Sequence, residues 1–295
     1  ENLEASGIVT SVDPVPSEML LRDVLINHDF DIYVARYPST GHPDELRSML
    51  YSTYAEESGW QNPFGFSNLT FDELLDEQRV VDGDLRVETV HEIQRQVVKE
   101  QPFTVVCSPD YIGAVRDDRF EGWTASGLKV PIDYLQLERV DSATTLRLLL
   151  RNERITRNRN PIAAEHRDQG HIMGLLYDPL IRATPNSSDV IPWLAKTTDW
   201  DGSGTLSATI ELRETPWHDG EPVTAHDVAF TYEFLRDTSL GTFETPVPTP
   251  WRRGRASLVK SAVATSDRRV RLEFDTGNRP TARRALMVPI LPAHI

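Results

Sequence analysis

The sequence predicts a mixed α/β (α+β) fold, in which a mixed sheet is flanked by helices. Apolar residues recur at helical spacing between residues 84 and 99, and they alternate at strand spacing between residues 205 and 212. Helical and strand-like segments follow one another without strict alternation, so the class is α/β or α+β. With 295 residues and a hydrophobic fraction of 39%, the chain is long and apolar enough to bury a sizeable core.

The charge balance narrows the classes of function. There are 45 acidic against 31 basic residues, a net charge of −14, and an acidic surface disfavours a nucleic-acid partner. Only four of the 31 basic residues are lysines. An acidic, lysine-poor surface predicts a halophilic source, because high salt screens its self-repulsion. A high-GC genome, which also favours arginine codons, is the alternative.

No stretch approaches the 18 consecutive apolar residues that indicate a transmembrane helix. Residue 1 is Glu, and no basic segment followed by an apolar one stands at the start. We therefore expect any signal peptide or lipid anchor to lie outside this sequence.

Four elements stand out in the first half of the chain. Asp29–Ala35 alternates as a half-buried strand, and Thr70–Glu73 has the pattern of a capping box at a helix start. Asp84–Lys99 shows a helical apolar face. Phe103–Cys107 is an apolar run that predicts a buried strand, in which the only cysteine would act as a small hydrophobic residue.

Residues 138–144 are polar, and we place a segment boundary there, between residues 1–140 and 141–295. Beyond the boundary, Thr205–Leu212 predicts a strand. Thr224–Asp227 predicts a helix cap.

A hairpin is predicted at the end of the chain, where two alternating runs, Val259–Ala264 and Val270–Phe274, flank a polar turn.

The sequence offers no positive evidence for catalysis, a metal or a cofactor. His218 and His226 are eight residues apart, and His166 and His171 are five apart; neither spacing is a recognised ligand pattern. We find no phosphate loop, no nucleophile elbow and no spacing that singles out a pair of carboxylates. We expect no catalytic residue, no metal and no cofactor.

One long stretch, Leu212–Phe230, combines a strand that ends in Leu-Arg, an aromatic-His-Asp-Gly turn and a capped helix with Asp-Val. Gly174–Ile181, Ile191–Ala195 and Ile290–Ile295 add shorter matches. Together they resemble the N-terminal part of the family-5 extracellular solute-binding proteins, which include the oligopeptide, dipeptide and nickel receptors of ABC importers.

A second stretch, Asp29–Trp123, resembles the C-terminal part of the same family. It carries an Asp-Phe-Asp-Ile strand, a Gly/Pro loop, the motif at residues 62–77 and a closing Gly-Trp. The two family parts therefore stand in permuted order. The resemblance implies a periplasmic-binding-protein-like type II lobe, with the second lobe largely missing. Two tandem modules straddled by this chain, or a natural permutation, would each explain the order, and the halves would pair within one chain or in a domain-swapped dimer.

The resemblance also implies where ligand would bind. The loop after the Asp29–Ala35 strand would line the cleft. The acidic residue that pairs with a peptide α-amine in the family is replaced here by Ser39, and His42 stands where the family has its following Asp. The candidate ligand-binding residues are Tyr37, Ser39, His42, Arg151, Arg154 and Trp251.

The function that the resemblance implies is solute binding for an ABC importer, with ABC permease subunits as partners and a peptide or similar small solute as ligand. We expect an extracellular, cell-surface or periplasmic location and no enzymatic activity. A ligand-sensing domain of a transcriptional regulator or other signalling protein is the alternative.

Overall fold

In the computed structural model, the chain forms two compact units, Glu1–Asp72 and Glu73–Ile295. The division between them falls within a helix. The described residues are 2–16, 19–20, 23–24, 27–35, 42–55, 62–108, 114–123, 131–140, 145–147, 161, 173–184, 189–237 and 254–295.

The first unit contains short helices. Helix α1 spans Asn2–Ala5, α2 spans Glu45–Leu50, and a 3-10 turn follows at Ser52–Tyr54. Helix α3, Leu69–Val80, begins in this unit. Its first turn is capped by Asn68, whose Oδ1 accepts a hydrogen bond from the Phe71 amide at 3.2 Å. The capping box predicted at Thr70–Glu73 is therefore wrong, because the helix starts two residues earlier, at Leu69, and Asn68 is the cap.

Asn62 orders the loop that leads into α3. It is fully buried, and its side chain donates to the carbonyls of Tyr51 at 3.0 Å and Phe66 at 2.7 Å. Its Oδ1 accepts from the Phe66 amide at 3.0 Å. The backbone φ of Asn62 is +43°, a conformation that Asn tolerates better than most residues. Both ends of one side chain thus satisfy loop backbone that would otherwise be buried without partners.

Helix α4 spans Gly83–Glu100, as the apolar periodicity predicted. Asp82 caps its start by accepting from the Gly83 amide at 2.9 Å. The helix ends at Gln101, which has a left-handed backbone with φ of +46° and donates its amide to the Val97 carbonyl at 2.9 Å. Thr89 and Ile93 are its buried residues.

Two small antiparallel pairs precede the main sheet. Strands β1, Phe120–Glu121, and β2, Glu138–Arg139, form one pair around a 3-10 helix at Pro131–Gln136. Strands β3, Ile181–Ala183, and β4, Val190–Pro192, form the other.

The main sheet has four antiparallel strands in the order β5-β6-β8-β7. The strands are β5 at Ala195–Asp201, β6 at Ser207–Leu212, β7 at Val259–Ser266 and β8 at Arg269–Phe274. The predicted strand at 205–212 and the predicted hairpin are both confirmed.

One face of this sheet is buried. In β6 the alternate residues Ala208, Ile210 and Leu212 are fully buried, and Ile210 stands opposite the equally buried Val270. Helix α5, Ala225–Asp237, and helix α6, Arg279–Leu286, contribute residues to the same core. Burying one large aliphatic side chain there stabilises the fold by about 1.5–3 kcal/mol.

Two predicted strands are absent. Asp29–Ala35 and Phe103–Cys107 form no strand, and Cys107 is exposed, so its predicted burial is wrong. Val105 and Val106 are also exposed. β-branched residues favour a strand only where a neighbouring strand pairs with them, and neither segment pairs with another strand within the described part of the chain.

Across the ranges that the structure describes, every helix falls short of the length and apolarity needed to cross a membrane.

Candidate functional site

Of the six predicted ligand-binding residues, His42 alone lies in the described part of the chain. It is partly buried and stands just before α2, where its Nδ1 accepts a hydrogen bond from the Asp44 amide at 3.2 Å. The imidazole therefore helps to start a helix. The other five, which lie outside the described residues, are Tyr37, Ser39, Arg151, Arg154 and Trp251.

The longest motif, by contrast, is fully described. Between β6 and α5 it forms a tight loop in which the Trp217 amide donates to the Glu221 carbonyl at 2.7 Å and the Gly220 amide donates to the Trp217 carbonyl at 3.1 Å. Gly220 has φ of +96°, which a residue with a Cβ adopts only with strain. Asp219 accepts from the Glu221 amide at 3.1 Å, so Asp219 and Gly220 both suit this turn.

Asp227, in the first turn of α5, joins this loop to the end of the chain. The residue is 3% exposed. Its Oδ2 accepts from the amide of Thr224 at 2.7 Å and from the Thr224 hydroxyl at 3.0 Å. Its Oδ1 accepts from the amide of Ala293 at 2.8 Å, 66 residues further along the chain. The helix cap predicted at Thr224–Asp227 is therefore present, and its acidic member also holds a distant segment.

Helix α5 makes one further contact with that segment and one with α6. The Thr231 hydroxyl donates to the Asp227 carbonyl at 2.7 Å and accepts from the Leu291 amide at 2.8 Å. The Tyr232 hydroxyl donates to the Ala285 carbonyl at 2.9 Å. Burial of Tyr232 raises the pKa of its phenol, so the hydroxyl remains a neutral donor.

His294, near the end of the chain, contacts the loop between β6 and α5. Its Nε2 lies 2.8 Å from Asp219 Oδ2, and its ring is 6.4 Å from that of Trp217. The hydrogen bond that His294 donates to Asp219 raises the pKa of His294, and the same bond lowers the pKa of Asp219. Both groups are solvent-exposed, so the ion pair adds little to the free energy of unfolding and mainly fixes the position of the His294 ring.

A second cluster joins the three shorter motifs. Asp178 accepts from the Trp193 indole at 2.7 Å and from the Arg182 guanidinium, which stacks on the Trp193 ring with 4.4 Å to its centroid. The Asp178 carbonyl accepts from the Ile290 amide at 3.0 Å, and Pro179 bridges Pro289. All the motifs between residues 174 and 295 thus meet around the segment 289–294.

The contacts in these two clusters hold segments of the fold together. Their carboxylates are occupied by donors of the chain itself, and the part of the chain that the structure describes contains no group of three or more His, Cys, Asp and Glu side chains able to hold a metal. The sequence argument placed Asp227 in a helix cap and Asp178 in a family motif but gave neither a contact with residues 289–294, and it did not single out Thr231. The signal was available in part, because an Asp three residues after a Thr at a helix start is the reciprocal half of a cap.

Comparison with known proteins agrees with this pattern of motifs. Residues 189–295 match the family model described as bacterial extracellular solute-binding proteins, family 5 Middle. Over these residues the chain is similar to solute-binding proteins of that family.

Among curated proteins, the peptidoglycan-binding protein YepA of Agrobacterium fabrum is 32% identical over 123 residues, which cover 41% of this chain and 18% of YepA.

Three solved structures are similar over part of the chain. NikZ from Campylobacter jejuni in complex with Ni(L-His) is 24% identical, with a TM-score of 0.35, over 46% of this chain and 25% of NikZ. The oligopeptide-binding protein AppA from Bacillus subtilis is 24% identical, with a TM-score of 0.38, over 46% of this chain and 25% of AppA. CtaP from Listeria monocytogenes is 28% identical, with a TM-score of 0.37, over 46% of this chain and 26% of CtaP. The matched region thus spans about a quarter or less of each relative.

Proposed function

We propose that this chain is part of the solute-binding component of an ABC importer and binds peptides or similar small solutes in a cleft between two lobes. The observation that carries the proposal is the family-5 match over residues 189–295, together with the motifs before it that join the same framework. Receptors of this class close around their ligand, and the closed form is what the permease subunits would recognise. The proposed location is extracellular, at the cell surface or in the periplasm.

The proposed ligand class is peptide-like. YepA, which shares 32% identity over its matched region, is named as a peptidoglycan-binding protein, and peptidoglycan carries short peptides. The net charge of −14 favours a solute that is neutral or cationic over a polyanion. Peptides with a free α-amino group and short peptidoglycan fragments are therefore the first ligands to test.

For the site we propose the six residues predicted from the sequence: Tyr37, Ser39, His42, Arg151, Arg154 and Trp251. His42 can be tested most sharply, because its structural contact is known. His42→Asn replaces the imidazole with a side chain whose carbonyl can accept from an amide two residues on, as His42 Nδ1 accepts from the Asp44 amide. This substitution removes the ring but keeps the start of α2.

The test is calorimetric titration of the folded chain, in molar salt, with a pool of di- to hexapeptides and with peptidoglycan-derived peptides. The proposal predicts micromolar binding to at least one pool and at least about tenfold weaker binding for His42→Asn, a loss typical of one ligand hydrogen bond to a polar group. His91→Ala, a change at an exposed position on α4, is the matched control and should bind as the parent does. A folded chain that binds neither pool would contradict the proposal.

A further inference from the structure

The turn at 276–278 binds the carboxyl end of α3, which lies about two hundred residues earlier in the chain. Three donors of the turn converge on the Arg79 carbonyl: the Gly277 amide at 2.8 Å, the Asn278 amide at 3.2 Å and the Thr276 hydroxyl at 2.6 Å. The last carbonyls of a helix have no partner within the helix. Here a distant turn supplies the missing donors.

The Asn278 side chain serves two helix ends at once. Its Nδ2 donates to the Gln78 carbonyl at 2.8 Å and to the Val81 carbonyl at 3.4 Å. Its Oδ1 accepts from the Thr281 amide at 2.9 Å and so caps the start of α6. Both Asn278 and Gln78 are fully buried, which makes each unmade hydrogen bond costly.

Gly277 shows how closely the two segments approach. A Cβ at this position would lie 2.8 Å from the Val80 carbonyl oxygen and 3.0 Å from the Val80 Cα. The contact is with backbone, which cannot rotate away as a side chain can. The site therefore needs glycine for space, since its φ lies outside the left-handed region.

We propose that Thr276–Asn278 is a built docking site for the carboxyl end of α3, and that it joins α3 and the described residues of 254–295 in one folding body. The predicted segment boundary near residue 140 is then a boundary along the sequence and not between folding units. Each side of the contact depends on the other, because the Arg79 and Val81 carbonyls would lose these donors, and the buried Thr276 and Asn278 would keep donors without these acceptors. The inference does not depend on which solute the chain binds.

The substitution Asn278→Asp distinguishes the contact with the end of α3 from the cap at the start of α6. A carboxylate at 278 still accepts from the Thr281 amide and caps α6 as well as Asn does. It has lost the amide donor and places negative charge at the carboxyl end of α3, where the helix dipole is also negative. We expect hydrogen exchange of the backbone amides in residues 75–81 to accelerate by at least about tenfold, while α6 keeps its protection.

Gly277→Ala tests the same site by a steric route, so the proposal stays testable if Asn278→Asp does not fold. Its expected result is the same acceleration at residues 75–81. Gly204→Ala is the matched control, because a Cβ there meets nothing within 4 Å and should leave exchange unchanged. Unchanged exchange at residues 75–81 in either docking variant would overturn the proposal. So would a concentration-dependent dimer whose dissociation removes that protection, since the contact would then join two chains by swapping.

Discussion

Replacing Asp227 with alanine should loosen the segment 289–294 from α5. The carboxylate accepts from the Thr224 amide at 2.7 Å and the Ala293 amide at 2.8 Å, and the residue is 3% exposed. Alanine would leave both amides without this acceptor.

The size of the effect follows from these two bonds. A hydrogen bond to a charged acceptor contributes about 1.5–3 kcal/mol, and part of it is recovered when the Ala293 amide reaches solvent. We expect Asp227→Ala to lower the free energy of unfolding by about 3 kcal/mol. For a unit of this size that corresponds to a fall in Tm of roughly 10 °C.

The assay is thermal unfolding followed by circular dichroism, with hydrogen exchange of residues 289–295 measured on the same samples. Glu214→Ala is the control, because the Glu214 side chain is 88% exposed and pairs only with a surface arginine, Arg268. The reasoning is refuted if Asp227→Ala melts within about 2 °C of the control, which is under the shift expected for 1 kcal/mol.

Three further results are expected. The Asp219–His294 pair contributes stability while Asp219 is charged and His294 is protonated. That contribution is full between the ordinary pKa values of 3.8 and 6.5, is lost as pH rises through the raised pKa of His294, and is lost as pH falls through the lowered pKa of Asp219. The Tm difference between the parent and His294→Gln should therefore be largest between pH 3.8 and 6.5 and should shrink as the pH rises above 6.5 or falls below 3.8; a constant difference would contradict this. Tyr232→Phe should cost about 1 kcal/mol in chemical denaturation, because the Ala285 carbonyl loses its buried donor; no change in midpoint would mean that water replaces the hydroxyl. Molar salt should raise the Tm, because it screens the self-repulsion of a net charge of −14; an unchanged or lower Tm would count against the halophilic interpretation.

Local patterns in the sequence were sufficient where neighbouring residues determine the structure. The helix Gly83–Glu100, the strand Ser207–Leu212 and the hairpin of β7 and β8 were all predicted from spacing. The helix follows from its own apolar periodicity, and β6 and β8 each pair with the strand that precedes them in the chain.

The sequence argument failed where the structure of a segment depends on a partner that is distant in the chain. Asp29–Ala35 has a strand pattern but no partner strand among the described residues, so the pattern alone could not produce a strand. The bond from Asn278 to the Gln78 carbonyl spans 200 residues and leaves no periodic trace in the sequence. His294 and Asp219 are likewise 75 residues apart, and only the fold brings them together.

Equilibrium dialysis of the folded chain against the mixed peptide pool, with mass spectrometry of both compartments, tests the central claim of solute binding most directly. The account predicts that a defined subset of peptides is enriched on the protein side, at no more than one peptide per chain, and that unlabelled members of the subset compete with it. Equal peptide concentrations in both compartments, with a folded protein, would contradict the claim that this chain binds such solutes.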